Sequence, residues 1–296
     1  MSTEEIDAAA AGSWMIGDLS VNRIGFGAMR VAGRGRIDVH DARDRERVVG
    51  LLRRAVELGV NHIDTAAFYP TYTDPDSGES AFVGGANELI REALAPYPDG
   101  LLIATKVGPT PGGLARPDEL RGLVEQNLRE LGRDHLDLVY LRQHGLDSIA
   151  EHLGVLCELR DEGLVRHLGL SNVRAQHLEE AVCIAPVVAV QNRYGVDFGR
   201  VNDEMMRTCG EQGIAFVPFF SLAGEAREAG GVSSSDPVTA IARAHGATPA
   251  QVRIAWTLSR GPHVLAIPGT SNPNHLAENV AAGTLRLSVE ELATLG

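Results

Sequence analysis

From Arg23 onward the chain alternates short apolar runs with longer segments in which apolar residues recur every three or four positions. The short runs read as strands over 24–27, 62–65, 101–106, 136–141, 165–170, 187–191, 214–218 and 264–268. The longer segments read as helices over 46–58, 88–94, 117–131, 148–162, 175–185, 202–212 and 249–259. Pro117 and Pro249 fall at first-turn positions, and Gly59, Gly132, Gly163 and Gly213 follow helix ends, so starts and stops agree with the periodicity. Eight strand–helix units over about 260 residues is the size of a parallel (β/α)8 TIM barrel, an α/β fold forming a single domain. An open doubly wound sheet is the competing arrangement; it usually has fewer strands, and no G-x-G-x-x-G follows the first strand here. Residues 1–20 are expected to form an N-terminal tail with a short hairpin around 14–21, ahead of a barrel over 21–296.

The barrel reading fixes where chemistry can occur, because this fold presents catalytic groups at the C-terminal ends of its strands. Asp64, Lys106, Arg142, Ser171, Asn172, Gln191, Phe219 and Gly269 all occupy such positions and should share one mouth. Tyr69 follows Asp64 by five positions in a polar segment rich in glycine and proline. An acid, a phenol and an amine there are the parts of a proton-transfer site in which a charged lysine makes the phenol more acidic.

Composition narrows the picture further. Of the 296 residues 44% are hydrophobic and 22% charged, and a net charge of -12 repels nucleic acid and anionic membrane. There is no apolar run of membrane-spanning length, and no apolar core follows the acidic start of the chain, so a soluble cytoplasmic protein is expected. Cys157, Cys183 and Cys209 stand far apart in no metal-ligand spacing, and are expected to be reduced, buried or half-buried structural thiols. The ten histidines form no helical metal-binding pair, and the acidic stretch 74–79 lacks calcium-loop spacing, so no metal is expected. Arg30, Arg34 and Arg36 lie beside the mixed-charge run 38–47 and read as hydrated surface.

Several motifs stand in order: Asp64-Thr65-Ala66 with Tyr69, Thr105-Lys106, Gly169-Leu170-Ser171-Asn172, Val190-Gln191-Asn192, and Ile267-Pro268-Gly269-Thr270-Ser271 ahead of Glu278-Asn279. On these the sequence resembles the aldo-keto reductase family over nearly its whole length. It is most similar to the bacterial branch that includes pyridoxal reductases, through Asn61-His62-Ile63-Asp64 and Val217-Pro218-Phe219-Phe220. The resemblance implies an NAD(P)-dependent carbonyl reductase without metal, acting on a small-molecule aldehyde or ketone, with pyridoxal or another aromatic aldehyde as a candidate substrate. It assigns Tyr69 as proton donor to the carbonyl oxygen, Lys106 as the charge that acidifies it, and Asp64 as the anchor of Lys106. It places Ser171, Asn172 and Gln191 on the nicotinamide carboxamide and Phe219 under the ring as an aromatic platform, with Gly27, Ala28 and Met29 lining the cofactor from the first loop. Phe220, Leu222 and Gly224 would follow along the cofactor, as would Ile267, Gly269, Thr270 and Ser271. His275, Glu278 and Asn279 complete the implied cofactor set.

Two departures from the family pattern bear on function. The fourth catalytic place, a histidine five positions after the acid of the fourth strand, here Asp137, falls on Arg142, with His144 two residues beyond. Arginine stays protonated and offers donors only, so it can polarise a carbonyl, acidify Tyr69 or bind an anion; its bland alternative is a pairing with the neighbouring acid. The charged clamp for the NADP 2′-phosphate is also absent, its positions being Gly269 and His275. Hydroxyls at Thr270 and Ser271 run into an Asn272 cap with Pro273 at the first turn, a phosphate-binding helix start that keeps NADPH the expected cofactor, with NADH allowed. The insert 70–85 is a lid candidate, 223–236 is a second long loop, and the chain ends after 287–295 without the family's long C-terminal loop, so an open pocket bounded by the insert and the loop 108–115 is expected. A nicotinamide-binding redox sensor with little turnover and a Schiff-base aldolase on Lys106 are the alternative functions, and the resemblance leaves monomer or homo-oligomer open.

Overall fold

The computed structural model describes residues 6–31, 42–69, 71–73, 80–82, 85–198, 200–219, 221–222 and 236–296. Phe220, Gly224, Arg34 and Arg36 lie outside the described residues, as do the whole acidic stretch 74–79 and the loop 223–235. Of the insert 70–85, Thr71–Thr73 and Ser80–Phe82 pair as an antiparallel ribbon.

Seven parallel strands pair in chain order: Phe26–Gly27, His62–Asp64, Leu102–Val107, Leu136–Arg142, Val165–Ser171, Val187–Gln191 and Ala215–Phe216. The eighth stave is 264–266, too short to form a ladder but bonded on both sides. Gly25 donates to the Ala266 carbonyl at 2.8 Å, Ala266 to that of Arg23 at 2.8 Å, and Leu265 to that of Phe216 at 2.9 Å. These bonds join the last strand to the first, so the sheet is a closed (β/α)8 barrel.

Side-chain alternation divides the core in two. Residues such as Ile63, Ile103, Val139 and Leu170 face outward into the layer shared with the helices. Leu102, Ala104, Leu138, Tyr140, Ala189, Ala215 and Leu265 fill the tube itself. His62 also lies inside, and glycines on adjoining strands make room for the rings. A Cβ at Gly25 would stand 3.0 Å from His62 Nδ1, and one at Gly169 would stand 2.6 Å from Tyr140 Cδ1.

The hairpin Ser13–Ile16 with Leu19–Asn22 sits at the N-terminal end of the barrel, where Ile16 and Val21 join the interior cluster. Asp18 in its turn pairs with Arg166 at 2.5 Å and His167 at 2.6 Å, which holds its carboxyl down near pKa 2.

The helices follow the predicted set within a few residues, with Pro249–Ser259 capped reciprocally by Thr248 and Gln251. Helices Asp236–His245, Pro273–Ala281 and Val289–Leu295 complete the chain. Gly132 shows why a glycine ends a helix here: it takes φ 65°, a left-handed turn, and its amide reaches back to the last carbonyls of Leu120–Leu131. One expectation needs correction: Cys183 is exposed, whereas Cys157 is half-buried and Cys209 buried, its thiol pushed up to about 12 by desolvation. Among the described residues no helix is long and apolar enough to cross a membrane.

Candidate active site

The strand register explains the assembly of the site. Gly27 is level with Asp64, and Arg142 is level with Ser171, which is level with Gln191. Asp64, Lys106, Arg142 and Gln191 all follow the inward parity at the C-terminal ends of their strands, so they converge at one end of the tube.

Lys106 is sealed from solvent, and its ammonium donates to Asp64 Oδ1 at 2.6 Å and to the Thr65 carbonyl at 3.0 Å. Gln191 Nε2 donates to the other carboxylate oxygen of Asp64 at 2.8 Å. A buried lysine and a buried aspartate thus compensate one another, and hydrogen bonds take up the remaining capacity that burial would otherwise make costly. The Lys106 ammonium lies 4.9 Å from the centre of the Tyr69 ring, which projects from the turn after the second strand with Phe68 packed edge-on at 5.0 Å.

These groups border a cavity of about 310 Å³. Asp64, Tyr69, Arg142 and Gln191 supply its polar edge, and Phe68, Phe219, Leu222 and Ile267 its apolar walls, with Gly27, Met29 and Gly269 along one side. The first and last strands approach closely there: a Cβ at Gly27 would meet the Ile267 carbonyl at 2.6 Å, and one at Gly269 the Gly27 carbonyl at 2.5 Å. Arg30, Leu222 and Gly269 also border a second cavity of about 370 Å³, which extends past Thr270, His275, Glu278 and Asn279. The two cavities adjoin at these shared residues, and the second reaches the helix Pro273–Ala281, whose first turn is capped by Asn272.

Arg142 lines the first cavity, donates to Ser171 Oγ at 3.3 Å and lies 5.1 Å from the centre of the Phe219 ring. Asp137 is engaged elsewhere: it pairs with Arg133 at 3.0 Å and accepts from the Ile103 amide at 2.9 Å. His144 is exposed and borders neighbouring cavities instead.

The remaining expected residues are dispersed around this centre. Ser171 is fully buried, and its hydroxyl accepts from Arg142. Asn172 takes the left-handed conformation, φ 59°, and clasps Gln143: the Asn172 side chain donates to the Gln143 carbonyl at 3.1 Å, and the Gln143 side chain donates to the Asn172 carbonyl. It therefore borders the outer cavities. Ala28 is buried behind the first loop, and Ser271 is half-buried at the start of the last barrel helix.

Arg30 was missed by sequence reasoning, which read it as hydrated surface; the structure sets it half-buried at the junction of the two cavities. Its position three residues beyond the first barrel strand was the available signal. Pro109, in the loop 108–115 expected to bound the pocket, also lines the first cavity, as does Ser221, which had no sequence cue.

The fold and the site define an enzyme of the barrel class, built to move a proton beside a long cleft. The sequence model of the aldo/keto reductase family matches residues 23–296, and the chain belongs to that family. It is therefore an oxidoreductase of carbonyl compounds. It is 43% identical over 299 residues to pyridoxine 4-dehydrogenase of Escherichia coli (strain K12), covering 97% of this chain and 98% of that one. Among solved structures it resembles a thermostable aldo-keto reductase crystallised with the inhibitor epalrestat, at a TM-score of 0.77 and 29% identity over 96% of this chain and 98% of that one. A Klebsiella pneumoniae aldo/keto reductase in complex with NADP and acetate superposes at a TM-score of 0.73 and 26% identity, over 93% and 90% of the two chains.

Proposed function

We propose that this protein reduces an aldehyde to an alcohol with NADPH, NADH being the weaker alternative, and that pyridoxal or a similar aromatic aldehyde is its substrate. The observation that carries the proposal is the sealed Lys106–Asp64 pair 4.9 Å beneath the Tyr69 ring, at the edge of a cavity walled by Phe68 and Phe219.

The residues present fit a nicotinamide dinucleotide. The cleft is elongated, and a cation, Arg30, stands at its waist where the phosphates of an extended dinucleotide would pass. Its far end carries the hydroxyl of Thr270 and the first turn of a capped helix, both suited to phosphate oxygens. Phe219 and Gln191 would hold the nicotinamide ring, and NADPH would supply the hydride to the carbonyl carbon.

The chain's own part is proton transfer and orientation. Tyr69 would give its hydroxyl proton to the carbonyl oxygen as negative charge develops there. Lys106, fixed by Asp64 and the Thr65 carbonyl, would set its ammonium beside the phenol where negative charge develops as the proton leaves. Arg142 would donate hydrogen bonds to the substrate oxygen from the cavity edge, in place of the imidazole usual in the family. The aromatic walls suit a planar ring, and the 43% identical relative is named for pyridoxine.

The test is purified protein mixed with NADPH or NADH and a panel of aldehydes that includes pyridoxal. Pyridoxal-dependent oxidation of NADPH, abolished in Tyr69→Phe, is expected. If no aldehyde oxidises NADPH above the buffer rate, or Tyr69→Phe matches wild type, the proposal fails.

A further inference from the structure

Two threonines flank the ion pair in sequence: Thr65 directly follows Asp64, and Thr105 directly precedes Lys106. By strand alternation both turn away from the cavity, into the layer between barrel and helices, where an aliphatic side chain would ordinarily sit. Both are fully buried, as are Asn87 on the helix Ala86–Leu94 and Asn127 on the helix Leu120–Leu131.

The four side chains form one connected network. Thr65 Oγ1 donates to Asn87 Oδ1 at 2.9 Å, and Thr105 Oγ1 donates to Asn127 Oδ1 at 2.6 Å. Asn87 Nδ2 joins the two halves by donating to Asn127 Oδ1 at 2.9 Å and to Glu130 Oε2 at 2.9 Å. Asn127 Nδ2 donates to the Leu123 carbonyl at 2.9 Å, and Gln126 Nε2 holds the second Glu130 oxygen at 2.7 Å. The Glu130 carboxylate and the Leu123 carbonyl accept, so Asn87 and Asn127 each turn the amide nitrogen towards them and the amide oxygen towards a threonine hydroxyl, which makes both hydroxyls donors. A buried polar network with its partners satisfied holds one geometry, whereas an apolar core of the same volume would hold several at similar energy.

We propose that Asn87 and Asn127 are positioning residues for the Lys106–Asp64 pair, acting through the hydroxyls of Thr65 and Thr105. The Thr65 carbonyl accepts the second hydrogen bond of the Lys106 ammonium, and the Thr65 amide donates to the Ala104 carbonyl at 2.8 Å. Rotation of Thr65 would therefore move an acceptor of Lys106 and the strand end that carries Asp64 together. The network pins this residue on its outer side and pins the strand of Lys106 one residue before the amine. The inference rests on the role given above to Tyr69, Lys106 and Asp64, and adds to it the element that sets their spacing.

The test uses the full chain with Thr65→Val and Thr105→Val, which remove one hydroxyl each at nearly constant volume, and Thr65→Ser, which restores it. Wild type and Tyr69→Phe are assayed alongside with NADPH and pyridoxal. Misplacement of a catalytic group by a fraction of an ångström to 1 Å costs up to about a hundredfold, so each valine variant should lose about ten- to a hundredfold in kcat. KM for NADPH and for aldehyde should stay within about twofold, and Thr65→Ser should recover kcat to within about threefold of wild type. A network serving only the fold would lower the melting temperature of the valine variants and leave kcat within about twofold of wild type, and that result overturns the inference while the function stands. Should Thr65→Val not fold, Thr105→Val decides on the same criteria. Inactive wild type, or a fully active Tyr69→Phe, removes the proposed function and this inference with it.

Discussion

The Lys106 ammonium and the Asp64 carboxylate meet at 2.6 Å with both side chains closed to solvent. Removing one member strands the other as a buried charge, which costs on the order of 3–5 kcal/mol. Asp64→Ala should therefore lower the urea-unfolding free energy by about that amount, and Asp64→Leu combined with Lys106→Met should regain most of it while remaining inactive. A single variant as stable as wild type would show that the pair contributes no such coupling.

Tyr69→Phe leaves the ring beneath which Lys106 sits and takes away only the hydroxyl. The expected loss is about 10²- to 10⁴-fold in kcat/KM, with NADPH affinity by fluorescence titration within about twofold. Equal losses in binding and turnover would point to a structural part for the hydroxyl.

Arg142 keeps its charge across the working pH range, so it contributes no limb to the pH profile near neutrality. Arg142→His should introduce one close to pH 6.5, and Arg142→Met should lose about a hundredfold in kcat/KM at every pH, the scale of one donor to a developing oxyanion. Profiles of wild type and the histidine variant that superpose between pH 5.5 and about 7.5 would remove Arg142 from the reaction.

Arg30 spans the two cavities. A charge-assisted hydrogen bond to phosphate contributes about 1.5–3 kcal/mol, so Arg30→Ala should raise KM for NADPH about tenfold or more and leave kcat within about twofold. An unchanged KM at low ionic strength would place the phosphates elsewhere.

His62 is enclosed within the barrel, and desolvation, only partly opposed by Asp64, lowers its pKa to about 4. The unfolded chain takes up a proton below about pH 6.5 and the native one only below about pH 4, so stability falls as pH drops through that window. The whole effect is about 3 kcal/mol. Urea titrations at pH 7 and pH 4.5 should show His62→Leu losing less stability than wild type over this interval.

Sequence made the strands, the helix ends and the meeting of Asp64, Tyr69 and Lys106 legible because each carries a local signal: alternation, a glycine or proline at a boundary, a charged residue where an apolar run stops. The eighth stave is legible as an apolar run at 264–268, although it bonds at single points because its neighbours at 24 and 216 offer only short edges. The helix Asp236–His245 was passed over, since only Val238, Ile241 and Ala242 turn inward and the period is brief. Arg30, Phe68 and the outward turn of Asn172 depend on loop geometry that no spacing encodes. The asparagine network was illegible for a different reason: its halves lie 40 residues apart, on two helices whose apolar periodicity gives no hint of polar residues facing inward.

The hairpin carrying Ile16 and Val21 stoppers the barrel opposite the cleft. Beneath the cleft the interior is solid packing, and the hairpin roofs the lower end of that packing with two more apolar side chains. Deleting Ser13–Asn22 would bare that packing to water at the foot of the barrel.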